Sequence, residues 1–147
     1  ERDRLYRIRN RELLNKKNRI RRNSCPQNKL KHNLRTRVRM VLLGLRRGGH
    51  LHELVGCSVD YLKEHIESQF SIGMSWDNYG NKGWHVDHII PCDAFDLTDI
   101  FQQKACFNWR NLRPLWGSEN VSKKNHYRIE DKAAYIRQFS DIYLIQK

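Results

Sequence analysis

The sequence predicts an α+β fold in which two short strands are set among helices and preceded by a basic helical arm. Three observations predict it. Apolar residues recur at helical spacing through residues 30–45 and again over 129–145. Two short extended stretches, residues 84–90 and 111–116, are separated by a segment that reads as a helix. Positive charge gathers in the first third of the chain, whereas the remainder is close to neutral.

Residues 2–22 contain no Pro or Gly and form a predicted helix. Leu5, Ile8, Leu13, Leu14 and Ile20 give it only a broken apolar stripe, so packing supports it little. Asn23, Ser24 and Pro26 mark a break. From Lys29 onward Leu30, Leu34, Val38, Val41 and Leu45 line one face of a second helix, which Gly48 and Gly49 end. Arg35, Arg37, Arg39, Arg46 and Arg47 fall mostly on its other sides. Ser58 is a predicted N-cap for a helix reaching about Gln69, with Asp60 in its first turn and Val59, Leu62, Ile66 and Phe70 along one side. Residues 73–83, GMSWDNYGNKG, read as turns around large aromatics, and the strand at about 84–90 stops at Pro91. Residues 98–107 read as helical, with Asp96 or Thr98 as the turn and N-cap residue; 111–116 read as extended and 118–124 as a short helix. Ile129, Ala133, Ile136, Phe139 or Ser140, and Tyr143 define a closing amphipathic helix.

The charge distribution limits the partners. Residues 1–50 hold 17 Lys and Arg against three acids, while residues 51–147 hold 11 against 13. A basic arm, residues 1–28, on a near-neutral body is the electrostatic footprint of a polyanion binder. Arg predominates in the arm, and its planar fork matches phosphate geometry, which favours nucleic acid. A solvated tail is the bland alternative. No apolar run is long enough to span a membrane, no signal-peptide pattern opens the chain, and residues 1–23 lack the continuous apolar face of a membrane-surface helix. Cys25, Cys57, Cys92 and Cys106 form no CxxC pair, so a structural zinc ribbon is not expected. Scattered free thiols suit an intracellular setting, cytoplasmic or associated with a nucleoid or phage. The opening Glu1 in place of Met allows the chain to be a piece of a larger protein.

One stretch concentrates reactive side chains. WHVDHIIP, Trp84 to Pro91, places His85, Asp87 and His88 within four positions at the mouth of a strand. The bland reading is a hairpin with polar residues on its wet face. The sharper reading is a metal site that hydrolyses a phosphodiester, which needs a water nucleophile, a group to take its proton, and positive charge near the leaving oxygen. Strand neighbours point to opposite faces, so Asp87 and His88 divide the work naturally, Asp87 to the metal and His88 to the water.

These residues resemble the HNH endonuclease family. DHIIP, Asp87 to Pro91, is similar to its DHIxP strand, and NLRPL, Asn111 to Leu115, to its central NLxxL strand. Asn120, followed by VSKKN, falls where the family's helix supplies its final His, or Asn in some members. The segments GCSVDYLKEHIESQF and GMSWDNYG extend the resemblance to about residues 36–127. It implies a ββα-metal core, motif 84–125, within a nuclease domain spanning 29–147. It also implies DNA as substrate, Asp87 and Asn120 as ligands of one Mg²⁺ (Mn²⁺ substituting), and His88 as general base. Asn111 is implied to brace the strand that carries the base, and Lys123 or Lys124 to hold a phosphate. His85 is a candidate further ligand or phosphate contact, and Arg35, Arg37, Arg39, Arg46 and Arg47 are expected to track the nucleic-acid backbone. A nuclease domain inside a larger phage or RNA-guided complex, and a non-catalytic nucleic-acid-binding module, are the alternatives. Trp116 to Glu119 stands where many family members carry their second CxxC pair. An apolar core must therefore hold the hairpin, with Trp84, Phe95, Phe107, Trp109, Leu112 and Trp116 as candidates. Cys92 and Cys106 read as packing residues. His32, His50, His52, His65 and His126 read as surface or core-edge residues.

Overall fold

The computed structural model describes residues 2–80 and 83–145. It is α+β: eight helices in the described residues surround one two-stranded antiparallel sheet. Glu1 of the arm, and Asn81 and Lys82 of the predicted turn, lie outside the described residues.

The predicted first helix is two, α1 (Arg2–Arg9) and α2 (Arg11–Asn23), which meet at Asn10. Neither buries a residue, as expected of so weak an apolar stripe. Helix α3 (Pro26–Leu42) starts earlier than its apolar pattern suggests, with Pro26 in its first turn and the Cys25 sulfur accepting from Asn28 N–H at 3.4 Å. The division at residue 28 therefore falls inside a helix. Gln27 also ties α3 to the body: its side chain donates to the Phe95 carbonyl and accepts from Leu97 N–H at 2.8 Å.

Helix α3 also ends early, and Gly44 rather than Gly48 ends it. Gly44 has φ 70°, its N–H donates to the Val41 carbonyl at 2.9 Å, and Leu45 N–H donates to the Met40 carbonyl at 2.9 Å. This pair of bonds around a left-handed residue is a Schellman motif. It takes Leu45 off the stripe and leaves it 66% exposed, while Val38, Val41 and Leu42 enter the core.

Helix α4 (Leu51–Val55), too short to announce itself by periodicity, buries Leu51, Leu54 and Val55. In α5 (Val59–Glu67) Ser58 caps as expected, its hydroxyl accepting from Tyr61 N–H at 3.1 Å. Strands β1 (Trp84–His88) and β2 (Leu112–Trp116) pair with Trp84 opposite Trp116 and His88 opposite Leu112. Helix α6 (Ile100–Phe107) lies between them in sequence; Asp99, not Asp96 or Thr98, is its N-cap, and Asp96 instead binds Thr98 N–H at 2.9 Å. Helix α7 (Gly117–Lys123) follows β2 directly and packs on both strands. In α8 (Ile129–Ile145) the inward face is Tyr135, Ile136, Phe139 and Tyr143; Ile129 is 75% exposed and Ala133 is exposed.

A single apolar core joins α3, α4, α5, α6 and α8 to the hairpin. Trp84 anchors the start of β1. Its ring stacks on Tyr79 at 4.4 Å, meets Phe70 at 4.8 Å and Trp76 at 5.2 Å, and its Nε1 donates to the Ser75 carbonyl at 2.7 Å. Burying such a ring stabilises by about 3 kcal/mol, and each aromatic pair adds about 0.5–1.5 kcal/mol. Phe95, Phe107 and Leu112 are buried as well, with Trp109 and Trp116 half-buried against the same cluster. The hairpin is thus held by aromatic packing, and its far end, at Asp87 and His88, is placed by that anchor. No helix among the described residues is long and apolar enough to cross a membrane.

Candidate functional site

The end of β1 is built by hydrogen bonds that continue past the strand. Ile89 N–H donates to the Asn111 backbone carbonyl at 2.8 Å. The Asn111 side chain then replaces the next step of the ladder: Oδ1 accepts from Ile90 N–H at 2.8 Å and Nδ2 donates to the Ile90 carbonyl at 3.0 Å. A further bond, Nδ2 to the Cys106 carbonyl at 2.8 Å, fastens the same side chain to the end of α6. The strand therefore ends at His88 and not at residue 90, because a side chain takes over the pairing just before Pro91. Asn111, 1% exposed, contacts backbone and so fixes the strand end just after Asp87 and His88.

Asp87 and His88 are each 5% exposed. They sit differently. Asp87 stands opposite Arg113 in the register, and Arg113 Nε donates to its Oδ2 at 3.2 Å. Lys123 Nζ reaches the same oxygen at 2.7 Å and also donates to the His88 carbonyl. A buried carboxylate needs such neutralisation, since leaving it unpaired costs several kcal/mol. Both cations meet Oδ2, so the other carboxylate oxygen can take a different partner. Lys123, one of the two lysines expected to hold a phosphate, thus sits in the Asp87 cluster. Asn120, half-buried and one turn earlier on α7, shares the helix face from which Lys123 reaches Asp87. Lys124 is exposed at the end of α7, where it adopts φ 53°.

The His88 ring packs edge-on against Phe107 at 4.8 Å between centroids, and its Nε2 is buried without a hydrogen-bond partner. Cys92 and Cys106, read from sequence as packing residues, bring their sulfurs to within 4.8 Å of a ring nitrogen of His88 and of each other.

Beside the hairpin lies a cleft of about 910 Å³ whose lining includes His85 and His88 of β1 and Arg21, Arg22, Arg35 and Arg39. Helices α2 and α3 supply the arginines, so the arm contributes a wall of the cleft. The His85 ring lies against Gly117 at the start of α7, where a Cβ would approach its Cε1 to 3.3 Å. Of the other arginines expected to track a polyanion, Arg37 is half-buried on α3, and Arg46 and Arg47 are exposed in the turn beyond it; none of the three lines this cleft. Sequence reasoning placed Arg21 and Arg22 only within the basic arm, and missed Arg113 and the approach of the two cysteines to His88. Only Arg113 left a local signal: with the strands paired at their tryptophans, it falls opposite Asp87.

No family model matches the chain, and no solved structure matches it. Two proteins of Acanthamoeba polyphaga mimivirus, both described only as uncharacterized, are similar in sequence. One is 38% identical over 126 residues, covering 83% of this chain and 55% of the relative. The other is 40% identical over 97 residues, covering 66% of this chain and 42% of the relative. The chain thus spans about half the length of the relatives it matches.

Proposed function

We propose that the chain is a metal-dependent endonuclease of the HNH type that hydrolyses DNA phosphodiester bonds. The observation that carries this reading is the cleft lined by an imidazole, His88, together with His85 and four arginines, next to a buried carboxylate that Lys123 of α7 reaches. Each part has a role. Arg35 and Arg39 bind phosphate oxygens and set the strand along the cleft, contacts that position without reading sequence. Water attacks phosphorus, and His88 accepts its proton as the bond to the 3′-oxygen breaks. The 3′-oxygen takes a proton from solvent, leaving 5′-phosphate and 3′-hydroxyl ends. Asn111 holds the strand that carries the base. Asp87 and Asn120 would hold a divalent ion, Mg²⁺ with Mn²⁺ as substitute, which when bound would supply positive charge near the leaving oxygen. The donor set suits such an ion: a buried carboxylate with one oxygen left to another partner, and an amide on the facing helix.

Lys123 offers the test of the metal half of this reading. Its ammonium shares the carboxylate that is to hold the ion, so ammonium and ion oppose one another there. Lys123→Met is expected to lower the Mg²⁺ concentration that half-saturates DNA cleavage by roughly tenfold, equivalent to about 1.4 kcal/mol of relieved repulsion. Thermal stability falls at the same time, because Asp87 keeps only Arg113. Asp87→Ala is expected to abolish Mg²⁺-dependent cleavage. A raised Mg²⁺ requirement in Lys123→Met, or full activity in Asp87→Ala, overturns the assignment of Asp87 as ligand.

The arm gives a second test. Deleting residues 1–23 removes ten basic residues, among them Arg21 and Arg22 of the cleft wall. For duplex DNA the slope of log affinity against log salt is expected to flatten by roughly 0.9 for each phosphate that is no longer neutralised. Cleavage of DNA supplied at saturation persists. An unchanged slope assigns the arm to a protein partner or to solvent.

A further inference from the structure

We propose that His88, Cys92 and Cys106 form a second metal site, selective for a soft divalent ion such as Zn²⁺ or Co²⁺. The three ligand atoms lie within 4.8 Å of one another, and all three residues are buried. They come from three places, the end of β1, the turn after Pro91, and α6. Asn111 locks these places together, since its side chain bonds the Ile90 backbone on one side and the Cys106 carbonyl on the other. The triangle is therefore set by the same side chain that ends the strand.

Two features favour an ion over packing alone. His88 Nε2 is buried with no hydrogen-bond partner, a costly state that few native side chains keep. Two buried sulfurs beside an imidazole form the donor set of zinc and cobalt, not of magnesium. Three protein ligands leave a fourth position to water. Two kinds of metal chemistry then meet at the end of β1, an oxygen-rich face at Asp87 and a sulfur-rich one behind His88. Resting on the nuclease reading, a consequence follows: an ion bound at the sulfur face holds the imidazole and withdraws it from hydrolysis, so Zn²⁺ inhibits cleavage supported by Mg²⁺.

Cobalt titration of the full chain tests the site without any assay of cleavage. The expected spectrum has sulfur-to-cobalt charge-transfer absorption and the visible bands of a tetrahedral ion, saturating at one Co²⁺ per chain and displaced by Zn²⁺. Cys92→Ser and Cys106→Ser are each expected to weaken Co²⁺ binding by more than about tenfold. Because either change alters the core, a Cys25→Ser, Cys57→Ser double variant, which leaves the triangle intact, is measured alongside and is expected to keep the bands. Absence of the charge-transfer absorption in the unmodified chain, or its loss in the Cys25→Ser, Cys57→Ser variant, overturns the site. Zn²⁺ is then added to Mg²⁺-supported cleavage. Inhibition that tracks the cobalt affinity supports both readings; cobalt bands without inhibition keep the metal site and overturn His88 as the base.

Discussion

His88→Ala is expected to lower DNA cleavage by about 10²–10⁴-fold, the usual cost of losing a general base, while DNA affinity stays within about twofold. The affinity is preserved because the arginines of the cleft come from α2 and α3, and the carboxylate at Asp87 keeps both its cations. The substitution removes a ring that packs on Phe107, so it opens a buried space beside the cleft. Imidazole supplied in the buffer is therefore expected to restore part of the rate, whereas a merely structural role for His88 predicts no rescue. Single-turnover cleavage at saturating DNA, with and without imidazole, separates the two. A wild-type rate in the variant removes His88 from the chemistry.

Asn111→Ala is expected to destabilise the protein by about 3 kcal/mol, with activity falling alongside. Its side chain satisfies the N–H and the carbonyl of Ile90 and the carbonyl of Cys106, all in a buried region. Leaving one buried polar group unpaired costs about 1–3 kcal/mol. The three losses are not additive, because the strand end can shift to meet water. For a domain of this size the effect corresponds to a fall of roughly 10 °C in Tm. Thermal unfolding checks the magnitude. The distinguishing comparison is cleavage measured well below the variant's Tm: a positioning role predicts a residual defect there, whereas a purely stabilising role predicts recovery. An unchanged Tm contradicts the bracing role of Asn111.

The strands were legible because their residues carry local information. Trp84 and Trp116 bound the hairpin, Pro91 cannot continue it, and Asp87 with His88 stands out in an otherwise apolar run. Asn111 stood out only through the resemblance of NLRPL to the HNH family's central strand. Helix ends were harder to read. Gly44 and Gly48 are equivalent as letters, and what distinguishes them is that Gly44 adopts φ 70° within the paired bonds of a Schellman motif. Helix α4 is below the length at which a period can be read. The cluster of His88, Cys92 and Cys106 leaves no pattern in the sequence, because it arises only when α6 folds back against the end of β1. The shared hold on Asp87 is similarly tertiary: Arg113 arrives through strand register and Lys123 through α7. The family resemblance offered Lys123 or Lys124 for phosphate, and the buried carboxylate within reach of Lys123 leaves no trace in the sequence.

Whether this chain cuts DNA is decided by end-group analysis of DNA incubated with the full chain and Mg²⁺. Supercoiled plasmid is treated with and without chelator, and the newly formed ends are labelled before and after phosphatase. Nicks that require the divalent ion and carry 5′-phosphate and 3′-hydroxyl groups are the expected result. Plasmid that is bound with a steep salt dependence, yet stays intact in both Mg²⁺ and Mn²⁺, contradicts the nuclease assignment and makes this chain a nucleic-acid-binding module without catalysis.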